Sequence, residues 1–125
     1  MDHWAETIPV KPQGKARARS GRNGHYTPTK TKDSENSIGL WLKAKGAPLF
    51  SGAVYMEIIF IFVRPKSAKK RLYHTVKPDI DNCLKLFMDA SNGILFDDDK
   101  QVVKLISEKI YGEMDCIQVL IKEVG

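Results

Sequence analysis

Six aspartates fall within 21 positions of the chain: Asp79, Asp81, Asp89, Asp97, Asp98 and Asp99. They lie in the segment KPDIDNCLKLFMDASNGILFDDDKQVV, together with Lys85. Carboxylates crowded into one place repel, and the ionised form of at least one is disfavoured. A hard divalent cation removes that penalty. Mg²⁺ takes oxygen ligands, keeps several waters, and is commonly held by one or two carboxylates plus a substrate phosphate. The bound ion activates water and offsets charge on a scissile phosphate. Lys85 is a natural companion that would stabilise an oxyanion or orient the attacking water. The chemistry these residue types point to is metal-dependent phosphodiester hydrolysis.

Each acid also has a plain structural role open to it. Asp79 follows Pro78 and suits a helix N-cap. Asp81 and Asp89 flank Lys85 at four-residue spacing, as surface ion pairs worth about 0.3–0.5 kcal/mol each would. Asp97 to Asp99 suit a solvated turn. Charge elsewhere favours the chemical reading. The chain carries 20 Lys+Arg against 15 Asp+Glu, a formal net charge of +5. Residues 11–32 hold Lys11, Lys15, Arg17, Arg19, Arg22, Lys30 and Lys32 with no acid. Residues 64–77 hold Arg64, Lys66, Lys69, Lys70, Arg71 and Lys77, again with no acid. Cations segregated into two loop-like segments are what a polyanion-binding face requires.

The elements that must position these groups follow from pattern. Thr7 to Val10 reads as a short strand. Gly14, Gly21 and Gly24 argue against regular structure in the basic segment, which is an ordered DNA-contacting arm or a disordered one. A helix is predicted from Thr29–Lys32 to Lys45, with Ile38, Trp41 and Leu42 as a narrow apolar stripe and Gly46 as its stop. Val54 to Val63 reads as a central strand covered on both faces, interrupted only by Glu57.

A second helix is predicted from Asp79 to Ser91, packed through Ile80, Leu84, Phe87 and Met88 and ended by Asn92-Gly93. Asp81, Lys85 and Asp89 then form one polar ridge. At the helix start, Asp79 and Asp81 are free to lean toward one point. For Asp97–Asp99 to reach them, the next strand must run along this helix. Gln101 to Ile110 and Cys116 to Val124 read as strands of a hairpin turning at Gly112. The sum is α+β: a single small domain over 1–125, with a mixed sheet and about two helices on one face.

Composition excludes several classes. At 42% hydrophobic and 28% charged, the sequence suits a globular protein that needs no disulfide staple. No apolar run approaches the ~20 residues needed to cross a bilayer, and the N-terminus lacks a signal-peptide pattern, so the cytoplasm is expected. Cys83 and Cys116 have no metal-ligand spacing and read as buried reduced thiols. His74, beside the basic loop, is an alternative proton carrier. Tyr26, Phe62 and Tyr73 are candidates to stack on bases, with core packing or loop anchoring the readier explanation for each.

KPDIDN, followed by Lys85, Asp89, Asn92-Gly93 and FDDDKQVV, resembles the signature of the RusA family of Holliday junction resolvases. There an acidic pair two apart opens a helix, a lysine follows, and an Asp-Asp-x-Gln-Val run begins the next strand. PQGKARARSGRNGHYTP resembles, more loosely, the family's Arg-rich opening. The resemblance implies metal-binding acids at Asp79, Asp81 and Asp99, a catalytic lysine at Lys85, and Asp98 as an additional ligand or a support. Asp97 is an extra acid, and the register is set by distance to Gln101.

The resemblance further implies dependence on Mg²⁺ (with Mn²⁺ as a substitute), a homodimer, four-way junction substrates and a bacterial, phage or prophage origin. Two identical subunits about a two-fold axis suit paired, symmetry-related cuts. Lys15, Arg17, Arg19, Arg22, Lys69, Lys70, Arg71 and Lys77 are the expected phosphate contacts. Two other functions stay open: a nucleic-acid-binding protein without catalysis, and a nuclease acting on flaps or other branches.

Overall fold

Ten residues from Val54 to Val63, nearly all β-branched or aromatic, form the strand around which the sheet is built. A computed structural model of the chain describes residues 3–16 and 29–124, and the backbone alone at 19–21 and 24–26. In chain order the elements are β1 (His3–Ile8), β2 (Arg19–Gly21), β3 (Gly24–Tyr26), α1 (Thr29–Ala44), β4 (Val54–Val63), α2 (Ile80–Ser91), β5 (Val102–Gly112) and β6 (Cys116–Glu123). Short 3-10 turns sit at Lys66–Ala68 and Asp99–Gln101. The main sheet runs β1-β6-β4-β5, and β2 pairs with β3 as a separate ribbon. The architecture is α+β, as the pattern predicted.

The predicted hairpin of the last two strands does not form. β5 pairs parallel with β4, while β6 pairs antiparallel with the other edge of β4. The most apolar strand takes the interior, and residues 113–115 carry the chain over its end. There the Val63 N–H donates to Asp115 Oδ1 at 2.8 Å. Gly112 is required at this crossing, because a Cβ there would meet Ile61 Cγ2 at 2.6 Å. β5 is an edge strand, and the loop before α2 covers its C-terminal end: Tyr111 N–H donates to Leu72 O (2.8 Å) and His74 N–H to Lys109 O (3.1 Å).

Both helices pack on one face of the sheet. Trp4, Ile8, Met56, Ile58, Phe60, Ile117, Val119 and Ile121 meet Ile38, Leu42, Leu86 and Phe87 in one buried cluster. β4 is therefore covered on one face only, since Tyr55, Glu57 and Ile59 on the other are half-exposed. There the Tyr55 hydroxyl donates to Glu57 (2.7 Å), a polar use of that open side. α1 buries Thr31, Ser34, Ile38, Gly39 and Leu42, and Trp41, expected in the stripe, is instead 38% exposed. The helix turns off at Gly46 (φ 74°), where Gly46 N–H reaches Lys43 O and Ala47 N–H reaches Leu42 O, a Schellman ending.

α2 buries Cys83, Leu86, Phe87, Met88, Ala90 and Ser91. The packed face is thus rotated from the expected one. Phe87 and Met88 are in it, Leu84 flanks it, and Ile80 is exposed in the first turn. β1 begins earlier than expected, at His3, and stops at Ile8. Both cysteines are free and buried. Burial pushes the Cys83 thiol up to about 11, so it is a small core side chain rather than a nucleophile. Among the described residues, no helix is long and apolar enough to cross a membrane.

Candidate nuclease site

Asp79 stands at the N-cap of α2 with extended backbone (φ −68°, ψ 147°), yet its side chain makes no capping hydrogen bond. Asp81 lies in the exposed first turn and Lys85 one turn further on. None of the three side chains has a hydrogen bond or ion pair among the described residues. The capping explanation for Asp79 therefore fails, and so does the ion pairing of Lys85 with Asp81 and Asp89. Asp89 instead accepts from Lys15 Nζ.

That contact docks the segment before the arm onto α2. Lys15 N–H donates to Asn82 O (3.0 Å), and Ala16 N–H to Thr31 Oγ1 (3.2 Å). Gly14 fits against Pro78 and Asn82 with almost no clearance, since a Cβ there would lie 3.0 and 3.1 Å from theirs. The bond to Asp89, opposed by partial burial, holds the Lys15 ammonium pKa above its usual value. Nearby, burial first and then the Asp89 charge push the Glu35 carboxyl up, against the pull of Lys15 and Lys32.

The start of α2 is also tied to the sheet. Lys109, on the helix-covered face of β5, donates from Nζ to Val76 O (2.7 Å) and Pro78 O (2.6 Å). It fixes the backbone that presents Asp79. Sequence reading missed Lys109; the only available signal was a cation at an inward position of an alternating strand. Arg64, counted among the cations of the basic loop, donates from its guanidinium to Lys69 O and Arg71 O and lies over the Tyr111 ring. Its grip leaves the side chains of Lys66, Lys69, Lys70 and Arg71 exposed. Lys77 is exposed as well. Arg17 and Arg22 lie outside the described residues, as does the side chain of Arg19.

The acids at the head of β5 have separate roles. Asp98 Oδ2 accepts from Lys100 N–H at 3.0 Å, and Gln101 Oε1 accepts from the N–H groups of Asp97 (2.9 Å) and Asp98 (3.2 Å). This is a capping box, and Gln101 Nε2 also donates to Phe50 O and Gly52 O, both at 2.9 Å. The pattern D-x-x-Q was legible in the sequence as a cap and was not read as one. Asp99 is half-buried, with no side-chain partner among the described residues.

The structure does not bring Asp99 to Asp79 and Asp81 within one chain. Asp79 follows Pro78, which Lys109 holds near the end of β5, whereas Asp99 precedes the start of β5. The seven residue-to-residue steps of strand from Val102 to Lys109 span roughly 23 Å. The 12 residues of α2 span about 18 Å in the opposite direction. Because β4 and β5 are parallel, α2 must return the chain from one end of the sheet to the other. Acids opening the helix and acids opening the next strand thus fall at opposite ends. Among the described residues, no three His, Cys, Asp or Glu converge as a metal site.

Beside Asp79 opens a cleft of about 710 Å³, rimmed by Lys11, Lys15, Lys30 and Lys77 and floored by Phe62 and Tyr111. His74 lines it too, stacked on Phe62 at 3.6 Å between ring centroids. Desolvation, then the Lys109 charge, lower the His74 pKa, so the ring is neutral at neutral pH and poorly suited to be a resting proton donor.

An α+β domain that offers unpartnered carboxylates at a helix start, next to a lysine-rimmed cleft, is of the class that handles phosphodiesters. A family model, Endodeoxyribonuclease RusA, matches residues 9–122. The chain belongs to the RusA endodeoxyribonuclease family. It is also 33% identical over 142 aligned positions to "Uncharacterized protein YqaN" of Bacillus subtilis (strain 168), covering 100% of this chain and 99% of that protein.

Proposed function

We propose that this protein is a Mg²⁺-dependent, structure-specific endonuclease that resolves Holliday junctions as a homodimer. The observation that carries the reading is the pair of unpartnered carboxylates, Asp79 and Asp81, held at the start of α2 beside a cationic cleft. Two carboxylates two positions apart, open to solvent beside a cationic cleft, are placed to share a divalent cation with a phosphate. Membership of an endodeoxyribonuclease family names that ligand's class as DNA.

Two carboxylates, waters and a DNA phosphate are a donor set that fits Mg²⁺. When bound, the ion would lower the pKa of a coordinated water and offset charge on the scissile phosphate. Asp79 and Asp81 would hold it. Lys85, exposed and unpaired on the same polar ridge, would approach the phosphate oxygens. Asp98 is occupied as a cap, and of the two acids beside it Asp99 is half-buried while Asp97 is exposed, so Asp99 would be the ligand at the head of β5.

The distance between Asp99 and the helix start has a simple resolution in a two-fold dimer. If the exposed ridges of two α2 helices face each other antiparallel, Asp79 and Asp81 meet the partner subunit's Asp99. Lys85, midway along the ridge, then lies near the axis. Each dimer carries two such sites, suited to paired cuts on symmetry-related strands. Mn²⁺ would substitute for Mg²⁺.

The reading is tested with a synthetic four-way junction. Wild type should cut it in Mg²⁺ and not in excess EDTA. Asp81→Asn should abolish cutting while still binding, because it removes charge and little volume. Cleavage undiminished in EDTA, or in Asp81→Asn, would overturn it. Preferential cutting of flaps over four-way junctions would move the substrate to other branches.

A further inference from the structure

The cleft beside Asp79 is larger and more apolar than a phosphate contact needs. Its floor reaches the core, since Phe62, His74 and Tyr111 are each at least nine-tenths buried. At its mouth Val63 and Val76 are 51% and 56% exposed, apolar surface set among lysines. Four lysines face only two carboxylates, Asp79 and Asp115, and of the four only Lys15 is engaged in an ion pair among the described residues. The His74 ring, stacked on Phe62, closes the inner wall.

We infer that this cleft receives a single unstacked nucleotide of the DNA, the one flanking the cut phosphate. The base lies against the Phe62–His74 wall and its phosphates against Lys11, Lys30 and Lys77. The inference rests on the nuclease reading and adds to it a subsite for an extruded base.

Size, charge and geometry agree on this occupant. A cleft of about 710 Å³ is in the range that encloses one small ligand, and duplex DNA is far too wide for it. An aromatic and aliphatic floor with a cationic rim is the usual platform for an unstacked base and its backbone. Extruding a base is costly in duplex and less so where pairing is already broken, as at a branch point. Branched substrates would then be favoured at the step where the base enters.

The test places 2-aminopurine at each position around the branch of a synthetic junction and adds saturating protein in Ca²⁺. Fluorescence should rise at one position next to the cut by about fivefold or more, the signature of lost stacking. Val76→Trp plugs the mouth from an exposed site, and at protein concentrations that still saturate the junction it should erase the rise. Saturated binding with no position brightening, or full brightening in Val76→Trp, overturns the inference. Cleavage by wild type in Mg²⁺ is scored on the same junctions. Cutting without brightening sinks the cleft alone, brightening without cutting sinks the nuclease reading alone, and neither binding nor cutting sinks both.

Discussion

Replacing Lys109 with Met should detach the start of α2 from the sheet while keeping an alkyl stem of similar length. Lys109 Nζ makes two bonds, a part-buried one to Pro78 O and an exposed one to Val76 O. The first, charge-assisted and shielded, is worth about 1.5 kcal/mol, and the second, open to solvent, about 0.5 kcal/mol. The variant should therefore lose about 2 kcal/mol, which lowers the melting temperature by roughly 8 °C for a domain of this size. Function should suffer beyond stability, because Asp79 directly follows the released carbonyl. At a temperature where both proteins are fully folded, junction cleavage should fall by about tenfold or more while binding changes little. A melting shift under 2 °C, or cleavage equal to wild type, would refute Lys109 as the residue that positions Asp79.

Two further predictions follow from the same geometry. Asp98→Ala removes a cap and should cost about 1 kcal/mol, measured by denaturant unfolding, yet leave cleavage within a few-fold; Asp99→Asn should do the reverse. The depressed His74 pKa fixes the sign of a pH effect. The unfolded chain binds a proton at His74 more readily than the folded one, so this stability is present above the unfolded value of about 6.5 and is lost as pH falls through the folded value. His74→Gln should flatten that part of a stability–pH curve, and a ring-proton titration should place the His74 midpoint below 6.5.

Much of the fold was legible because its signals are local. The β-branched run of β4, the Gly46 stop and the Asp79 start each depend on neighbouring residues alone. Pairing does not, and the predicted hairpin failed because nothing in β5 or β6 states that β4 will lie between them. A strand following α2 looked able to bring Asp99 beside Asp79, whereas parallel pairing of β5 with β4 sends them to opposite ends of the helix. The rotated face of α2 has a similar origin, since Ile80 is apolar but extends past the part of the helix that the sheet covers.

The carboxylates themselves were visible as residue types at a telling spacing. Which of them were free was not, because that depends on distant partners: Lys15 for Asp89, and a backbone N–H with the Gln101 clamp for Asp98. Lys109 was invisible for the same reason, as its targets lie more than thirty residues away in the chain.

The central claim is that each catalytic centre joins Asp79 and Asp81 of one subunit to Asp99 of the other, and complementation tests it directly. Asp79→Asn and Asp99→Asn proteins, each inactive alone, are mixed, allowed to exchange subunits, and assayed for junction nicking in Mg²⁺. A shared centre predicts that mixed dimers regain one intact site, restoring about a quarter of wild-type nicking when exchange is complete. A centre built within one chain leaves both sites of every mixed dimer broken, and nicking that stays at the level of the separate variants would contradict the account.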